Sequence, residues 1–139
     1  MPEKPLNEKK IVVLDSNALF VPVQFKIDIF EELKTLLSAN AEPVLLSPVR
    51  QELEMLISER SPKMRRNASF ALELAEKCKQ IEVKNAQSAS VDDVIVEAAR
   101  RWQCPVFTND RQLRKRLRDI NVPVVYVRQK SRLEIDGRL

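Results

Sequence analysis

Apolar residues recur along this chain in two rhythms, and their alternation sets the expected architecture. Residues 11–14 (IVVL), 44–46, 105–107 and 122–127 form short, largely apolar runs rich in β-branched side chains. That is the pattern of strands buried on both faces of a parallel sheet. A weaker run at 81–83 reads as one more strand. Between the runs, apolar residues fall at helical spacing: Ile27, Phe30, Leu33, Leu36 and Leu37, then Val49, Leu53, Leu56 and Ile57, then Met64, Ala68, Ala71, Leu72 and Ala75. Ile95, Ala98, Ala99 and Trp102 continue the series, and Leu113, Leu117 and Ile120 end it. Each set is the inward stripe of an amphipathic helix.

Polar and breaker residues punctuate these elements. Pro43 ends the first helix. Ser47-Pro48 and Ser61-Pro62 each place a capping hydroxyl before a proline at the first helical position, so helices are expected to open at Pro48 and Pro62. Ser90, with Asp93 three residues on, forms a capping-box-like start. The stretch after Asp15 as far as Pro22 reads as loop, residues 84–89 as a polar loop, and Thr108-Asn109-Asp110 as a turn. Strands alternating with helices predict a single α/β domain with a mainly parallel sheet over residues 11–128. A polar lead at 1–10 precedes it and a polar basic tail at 129–139 follows.

Composition narrows the chemistry mainly through absences. Hydrophobic residues make up 44% of the 139 and charged residues 32%, a globular balance. No apolar run approaches the ~20 residues that span a bilayer, and residues 1–10 lack the apolar core of a signal peptide, so a cytoplasmic protein is expected. Cys78 and Cys104 lack metal-ligand spacing and are expected to be reduced, buried thiols. There is no histidine, which removes the commonest general base, the usual zinc ligand and the Ser-His and Cys-His triads. The only glycine is Gly137. Phosphate-cradling loops and dinucleotide fingerprints need several, so no nucleotide cofactor is expected. Carboxylates, hydroxyls, amides and lysines are left to carry any reaction.

Four carboxylates draw together under the expected topology. In a right-handed βα succession, each strand's C-terminal end and the start of the next helix share one edge of the sheet. Asp15 follows the first strand, Glu52 lies in the opening turns after the second, Asp92 opens the helix after the weak strand, and Asp110 follows Val106-Phe107-Thr108. Each alone has a plain explanation in turn chemistry, helix-dipole compensation or solvation. Together on one rim they repel unless a cation or a proton offsets them. Oxygen-only donors suit a hard cation, Mg²⁺ or Mn²⁺; a structural ion-pair network is the other reading of such a cluster.

The strings VVLDSNAL, SPVRQELE, DDVIVEAA and VFTND, in this order and spacing, resemble the PIN-domain family of metal-dependent ribonucleases. The resemblance covers roughly residues 11–128. It places the family's acids on Asp15, Glu52, Asp92 and Asp110. Asp93 competes with Asp92 for the third position; Asp92 is preferred because its spacing to Ala98-Ala99 and to Asp110 resembles the family register, while Asp93 serves as a cap. Asn17 and Thr108 match polar positions beside the first and fourth acids. The resemblance implies a three-layer α/β/α sandwich and hydrolysis of phosphodiesters in single-stranded RNA with Mg²⁺ or Mn²⁺ as cofactor. In that reading Asp15, Asp92 and Asp110 hold the metal, Glu52 holds a second ion or the nucleophile, and Asn17 and Thr108 fix the orientation of the carboxylates. The beginning and end of the chain look more like archaeal PIN proteins related to small-subunit rRNA-processing nucleases than like toxins. A non-cleaving RNA-binding scaffold in ribosome assembly and a toxin of a toxin–antitoxin pair are the alternatives. Haloacid-dehalogenase phosphatases and response receivers also open on a strand-end Asp, but the former want a second Asp where this chain has Asn17, and neither accounts for Glu52.

Charge points to the same class of partner. The net charge is +4 with the four acids included, so the remaining surface is more basic than the total. Arg111, Arg114, Lys115, Arg116 and Arg118 follow Asp110 directly, and Arg128, Lys130 and Arg132 extend the track. Beside the acidic rim they are expected to position RNA phosphates; a solvated basic helix face is the plainer reading. Aromatic residues are 5%, and Phe30 and Trp102 sit on inward stripes, so no base-stacking platform is expected. The expected partner is single-stranded RNA, with a homodimer as a further option.

Overall fold

The computed structural model describes residues 1–5, 10–84 and 89–139. Six strands form one sheet in the order β3-β2-β1-β4-β5-β6. They are β1 (Ile11–Leu14), β2 (Glu42–Leu46), β3 (Lys79–Ile81), β4 (Val106–Phe107), β5 (Val124–Arg128) and β6 (Arg132–Asp136). The first five pair in parallel, and β6 runs antiparallel to β5. Helices α1 (Val21–Phe25), α2 (Ile29–Leu36), α3 (Ser47–Leu56), α4 (Pro62–Ala75), α5 (Val91–Trp102) and α6 (Arg111–Asp119) flank the sheet. This is the expected α/β class. No described helix is long and apolar enough to cross a membrane.

The uninterrupted apolar run of β1 has its physical reason in its place at the middle of the sheet. Ile11, Val12, Val13 and Leu14 are buried between β2 and β4, where both faces need apolar cover. The chain winds outward from β1 through β2 to β3 on one side and from β4 to β5 on the other. The order therefore reverses between β1 and β4, and open α/β sheets bind ligands in the crevice beyond strand C-termini at such a point. Asp15 N–H donates to the Phe107 carbonyl at 3.0 Å, continuing the β1–β4 ladder to that edge.

Several boundaries differ from expectation. The stretch after Asp15 is not loop but a 3₁₀ helix (Ser16–Phe20) running into α1, with Pro22 near the start of α1. Pro43 lies within β2 rather than before it. Glu42 donates to Lys10 on the β1 side, and β3 pairs only from Val44 onward, so the donor that Pro43 lacks is not missed. Ser47 does not cap α3: its Oγ accepts from Val83 N–H at 2.9 Å, whereas Ser61 and Ser90 cap α4 and α5 as expected. β3 occupies 79–81, two residues earlier than the expected strand. Ile57, Met64 and Ile120 are exposed, because they sit in a first turn or just past a last one, where the helix has run beyond the sheet. Of the loop expected at 84–89, residues 85–88 lie outside the described residues.

The largest correction is β6, in the stretch read as a polar tail. Leu133 is buried, Ile135 packs against the core, and Asp136 ion-pairs with Arg114 and Arg118 at 3.0 and 3.3 Å. Gly137 follows with φ +107°, and a Cβ there would lie 2.5 Å from Arg118 Nη1. The backbone there favours glycine, and a side chain would also have to displace the Arg118 guanidinium from Asp136.

Candidate functional site

Asp15 sits at the tip of β1 with extended backbone and 4% exposure. Its Oδ1 accepts from Ser16 N–H at 2.8 Å, capping the 3₁₀ helix. Its Oδ2 accepts from Thr108 Oγ1 at 2.8 Å and Asn17 Nδ2 at 2.9 Å. Thr108 is fully buried at the end of β4, and its Oγ1 also accepts from Asn17 Nδ2 at 3.2 Å and Asp110 N–H at 3.1 Å. Asn17 Oδ1 accepts from Asn109 N–H at 2.9 Å, and Asn109 Oδ1 accepts from Val127 N–H at 2.8 Å. The first carboxylate is thus locked to β4 and β5 through three polar side chains. Burial nevertheless pushes its pKa above the usual 3.8, and the charges of Asp92 and Glu52 add to the rise over the lowering by its hydrogen bonds.

The other three acids lie on the same edge. Glu52, one turn into α3, has Oε1 fixed by Ser16 Oγ–H at 2.5 Å. Asp92, in the first turn of α5, is half-buried, and its pKa is raised by burial first and then by the charge of Asp110, with Glu52 and Asp93 contributing and Arg116 opposing. Asp110 caps α6, its Oδ1 accepting from Gln112 and Leu113 N–H at 2.8 and 3.1 Å. Asp93 is exposed, accepts from Ser90 and ion-pairs with Arg116 at 3.0 Å, which holds its pKa down. The two adjacent carboxylates therefore differ: Asp92 shares the field of the rim, and Asp93 serves the cap and Arg116. Ser16, which the sequence marks only as a turn former, joins the network because it follows Asp15 and faces a glutamate 36 residues away.

None of Asp15, Glu52, Asp92 and Asp110 takes part in an ion pair among the described residues, although Asp93 and Asp136 nearby do. The nearby positive charge of Arg116 is engaged by Asp93. No three acids among the described residues close into a ready ligand shell. The donor set consists of oxygens alone, and each keeps acceptor capacity: Asp15 Oδ1 takes one bond, and Glu52 and Asp110 are each engaged through a single oxygen among the described residues. It fits a hard cation held by few carboxylates and several waters rather than an all-protein cage.

The basic residues divide into two groups. Arg114 lies over the Tyr126 ring at 3.8 Å and pairs with Asp136, as does Arg118, so these two fasten α6 to the β5–β6 hairpin. Arg128 pairs with Glu134 at 3.3 Å. Arg111, Lys115 and Lys130 are exposed and have no acidic partner among the described residues. Arg111 and Lys115, four residues apart, share one face of α6, next to Asp110.

A family model described as a PIN-like domain matches residues 12–130. Ribonuclease VapC4 of Methanocaldococcus jannaschii is 34% identical over 127 residues, 91% of this chain and 96% of that protein. The rRNA-processing protein fcf1 of Schizosaccharomyces pombe is 31% identical over 118 residues, 84% of this chain but 58% of that longer protein. Among solved structures, the PIN domain endonuclease Utp24 superposes with a TM-score of 0.77 at 28% identity, covering 93% of this chain and 92% of that one.

Proposed function

Because the chain belongs to the PIN-like domain family, we propose that it is a metal-dependent endoribonuclease that hydrolyses phosphodiesters in single-stranded RNA, with precursor rRNA as a substrate. The observation that carries this reading is the rim itself: four carboxylates share the switch-point edge of the sheet, burial and then neighbouring carboxylates raise the pKa of Asp15 and Asp92, and no cation of the protein pairs with the four among the described residues. A structural ion-pair network would show those pairs. The relative named as a ribonuclease and the structure named as a PIN domain endonuclease support the reaction, and the relative named for rRNA processing supports the substrate.

Asp15, Asp92 and Asp110 would hold Mg²⁺ or Mn²⁺, directly or through water, with Glu52 beside them. Such an ion supplies charge neutralisation at the scissile phosphate and activates water near neutral pH. The remaining steps fall to the chain's own groups. Thr108 and Asn17 keep both oxygens of Asp15 in one orientation. The Ser16 hydroxyl holds Glu52 so that its second oxygen can accept a proton from, or orient, the attacking water. With no histidine in the chain, Glu52 is the group best placed for that proton. Arg111 and Lys115 draw the phosphate backbone toward the rim without reading bases.

The test is to incubate the protein with a single-stranded RNA, its duplex and a small-subunit rRNA fragment in Mg²⁺, Mn²⁺ or EDTA. Cleavage of the single-stranded substrates with metal and none in EDTA is expected. Cleavage that survives EDTA contradicts the metal, and binding without cleavage under every condition contradicts the enzyme.

A further inference from the structure

On the edge of the sheet opposite the acids, the start of β1 and the residues just before β4 and β5 line a cavity of about 930 Å³. Ile11, Pro105 and Val122 lie buried beneath it, and Leu37, Ile120 and Pro123 give it an accessible apolar floor. Its mouth carries Lys4, Lys10, Arg100 and Arg138, and no aspartate or glutamate among the described residues lines it. The amides of Gln103 and Asn121 also face it. The size and the apolar floor with a few convergent polar groups match small-molecule sites, which run to roughly 300–1,000 Å³.

The cations ask for an explanation beyond helix-dipole compensation. Cationic residues in a last helical turn offset the negative end of a helix, and Arg100, at the end of α5 and paired with Glu97 at 2.6 Å, is accounted for in that way. Lys4, Lys10 and Arg138 belong to no helix and have no acidic partner among the described residues. Backbone N–H groups already serve part of the helix ends: Gln103 and Cys104 N–H donate to the Ala99 carbonyl, and Asn121 and Val122 N–H donate to those of Arg118 and Leu117. Three uncompensated cations around an apolar floor leave a mouth that favours a multiply charged anion with a flat apolar body.

We infer that this cavity binds a phosphate-bearing ligand of nucleotide size, at a site separate from the acidic rim. Lys4 and Lys10 act as point charges and Arg138 as a two-pronged donor to the phosphate oxygens. Leu37, Ile120 and Pro123 take the base or ribose face, and the Gln103 and Asn121 amides offer polar contacts to its edge. The same chemistry is offered by a free nucleotide or by a terminal nucleotide of RNA, and the test separates the two.

Calorimetric titrations in EDTA, which keep divalent cations from the rim, use inorganic phosphate, UMP and a short single-stranded RNA as probes. UMP or the RNA is expected to bind more tightly than phosphate, and Lys10→Ala with Arg138→Ala to weaken that binding at least tenfold. Arg111→Ala with Lys115→Ala is expected to leave UMP binding unchanged. Tighter binding of UMP assigns the free nucleotide, and tighter binding of the RNA, lost with the same two residues, assigns the strand. On titration of wild type with UMP, the backbone amides of Gln103, Cys104 and Asn121 are expected to shift, and those of Asn17 and Asp110 are not, a reading that needs no variant to fold. The inference is overturned if no probe binds at millimolar concentration, if binding ignores Lys10 and Arg138, or if the shifts fall on the rim.

Discussion

Thr108 shows how much of the site one hydroxyl holds. It donates to Asp15 Oδ2 while accepting from Asn17 and from the Asp110 backbone. Thr108→Val keeps the shape but takes a donor from the buried Asp15 Oδ2 and the acceptor from Asp110 N–H, which costs about 1–3 kcal/mol in stability. Loss of the group that orients the carboxylate is expected to slow cleavage by roughly 10–100-fold. Urea unfolding and initial cleavage rates check the two effects separately, and an unchanged rate would remove Thr108 from the site. The adjacent acids separate in the same assay. Asp92→Asn is expected to abolish most cleavage, because Asp92 shares the field of Asp110 and Glu52, while Asp93→Asn leaves the rate near wild type, because Asp93 serves only Ser90 and Arg116. Equal losses would show that the register between them is wrong. At this scale the sequence was informative where a motif is local: Asp15, Asn17 and Thr108 each stand at a strand end that the apolar pattern marks. The bond from Ser16 to Glu52 was not legible, since it depends on how α3 docks beside the 3₁₀ helix.

Among the elements, β6 carries the lesson. Arg132–Asp136 alternates polar and apolar residues, as a half-buried strand should, but with only two apolar positions the signal is weak. The turn before it hides the hairpin further. Gln129 and Lys130 both adopt left-handed φ, +53° and +59°, without the glycine or asparagine that usually announces such a turn. The parallel strands were legible because burial on both faces demands an uninterrupted apolar run, which few other elements show. Placing β6 also sorts the basic helix. Arg114 and Arg118 are fastened to Asp136, so replacing either with alanine is expected to lower stability by roughly 1 kcal/mol, the scale of partly exposed ion pairs and cation–π contacts, with little change in RNA affinity. Arg111→Ala with Lys115→Ala is expected to do the reverse: stability holds, RNA binding weakens for all sequences alike, and the salt slope flattens by about 0.7 per lost contact. Melting curves and salt titrations of both pairs decide it, and an unchanged slope in the second would assign that face to solvent.

Over the whole molecule, a net charge of +4 goes with a rim of acids that no ion pair among the described residues offsets. Asp15 and Asp92 both have raised pKa values, so the native state binds their protons more tightly than the unfolded chain does. Without a divalent cation, the stability linked to these groups is complete below the usual 3.8 and is lost as pH rises through the raised values. A cation should restore it where the carboxylates are ionised and have little effect where protons already occupy them. The melting temperature is therefore expected to rise with Mn²⁺ or Mg²⁺ at pH 7, by the equivalent of about 2.7 kcal/mol at a hundredfold excess over Kd, and hardly at all near pH 4. An equal rise at both values would place the ion elsewhere. The central claim is that this rim cleaves RNA through Asp15, and it is tested most directly by measuring cleavage of a single-stranded RNA by wild type and Asp15→Asn at matched RNA occupancy with Mn²⁺ present. The account predicts that Asp15→Asn folds, binds the RNA through the basic face and leaves it intact; cleavage at the wild-type rate would contradict it.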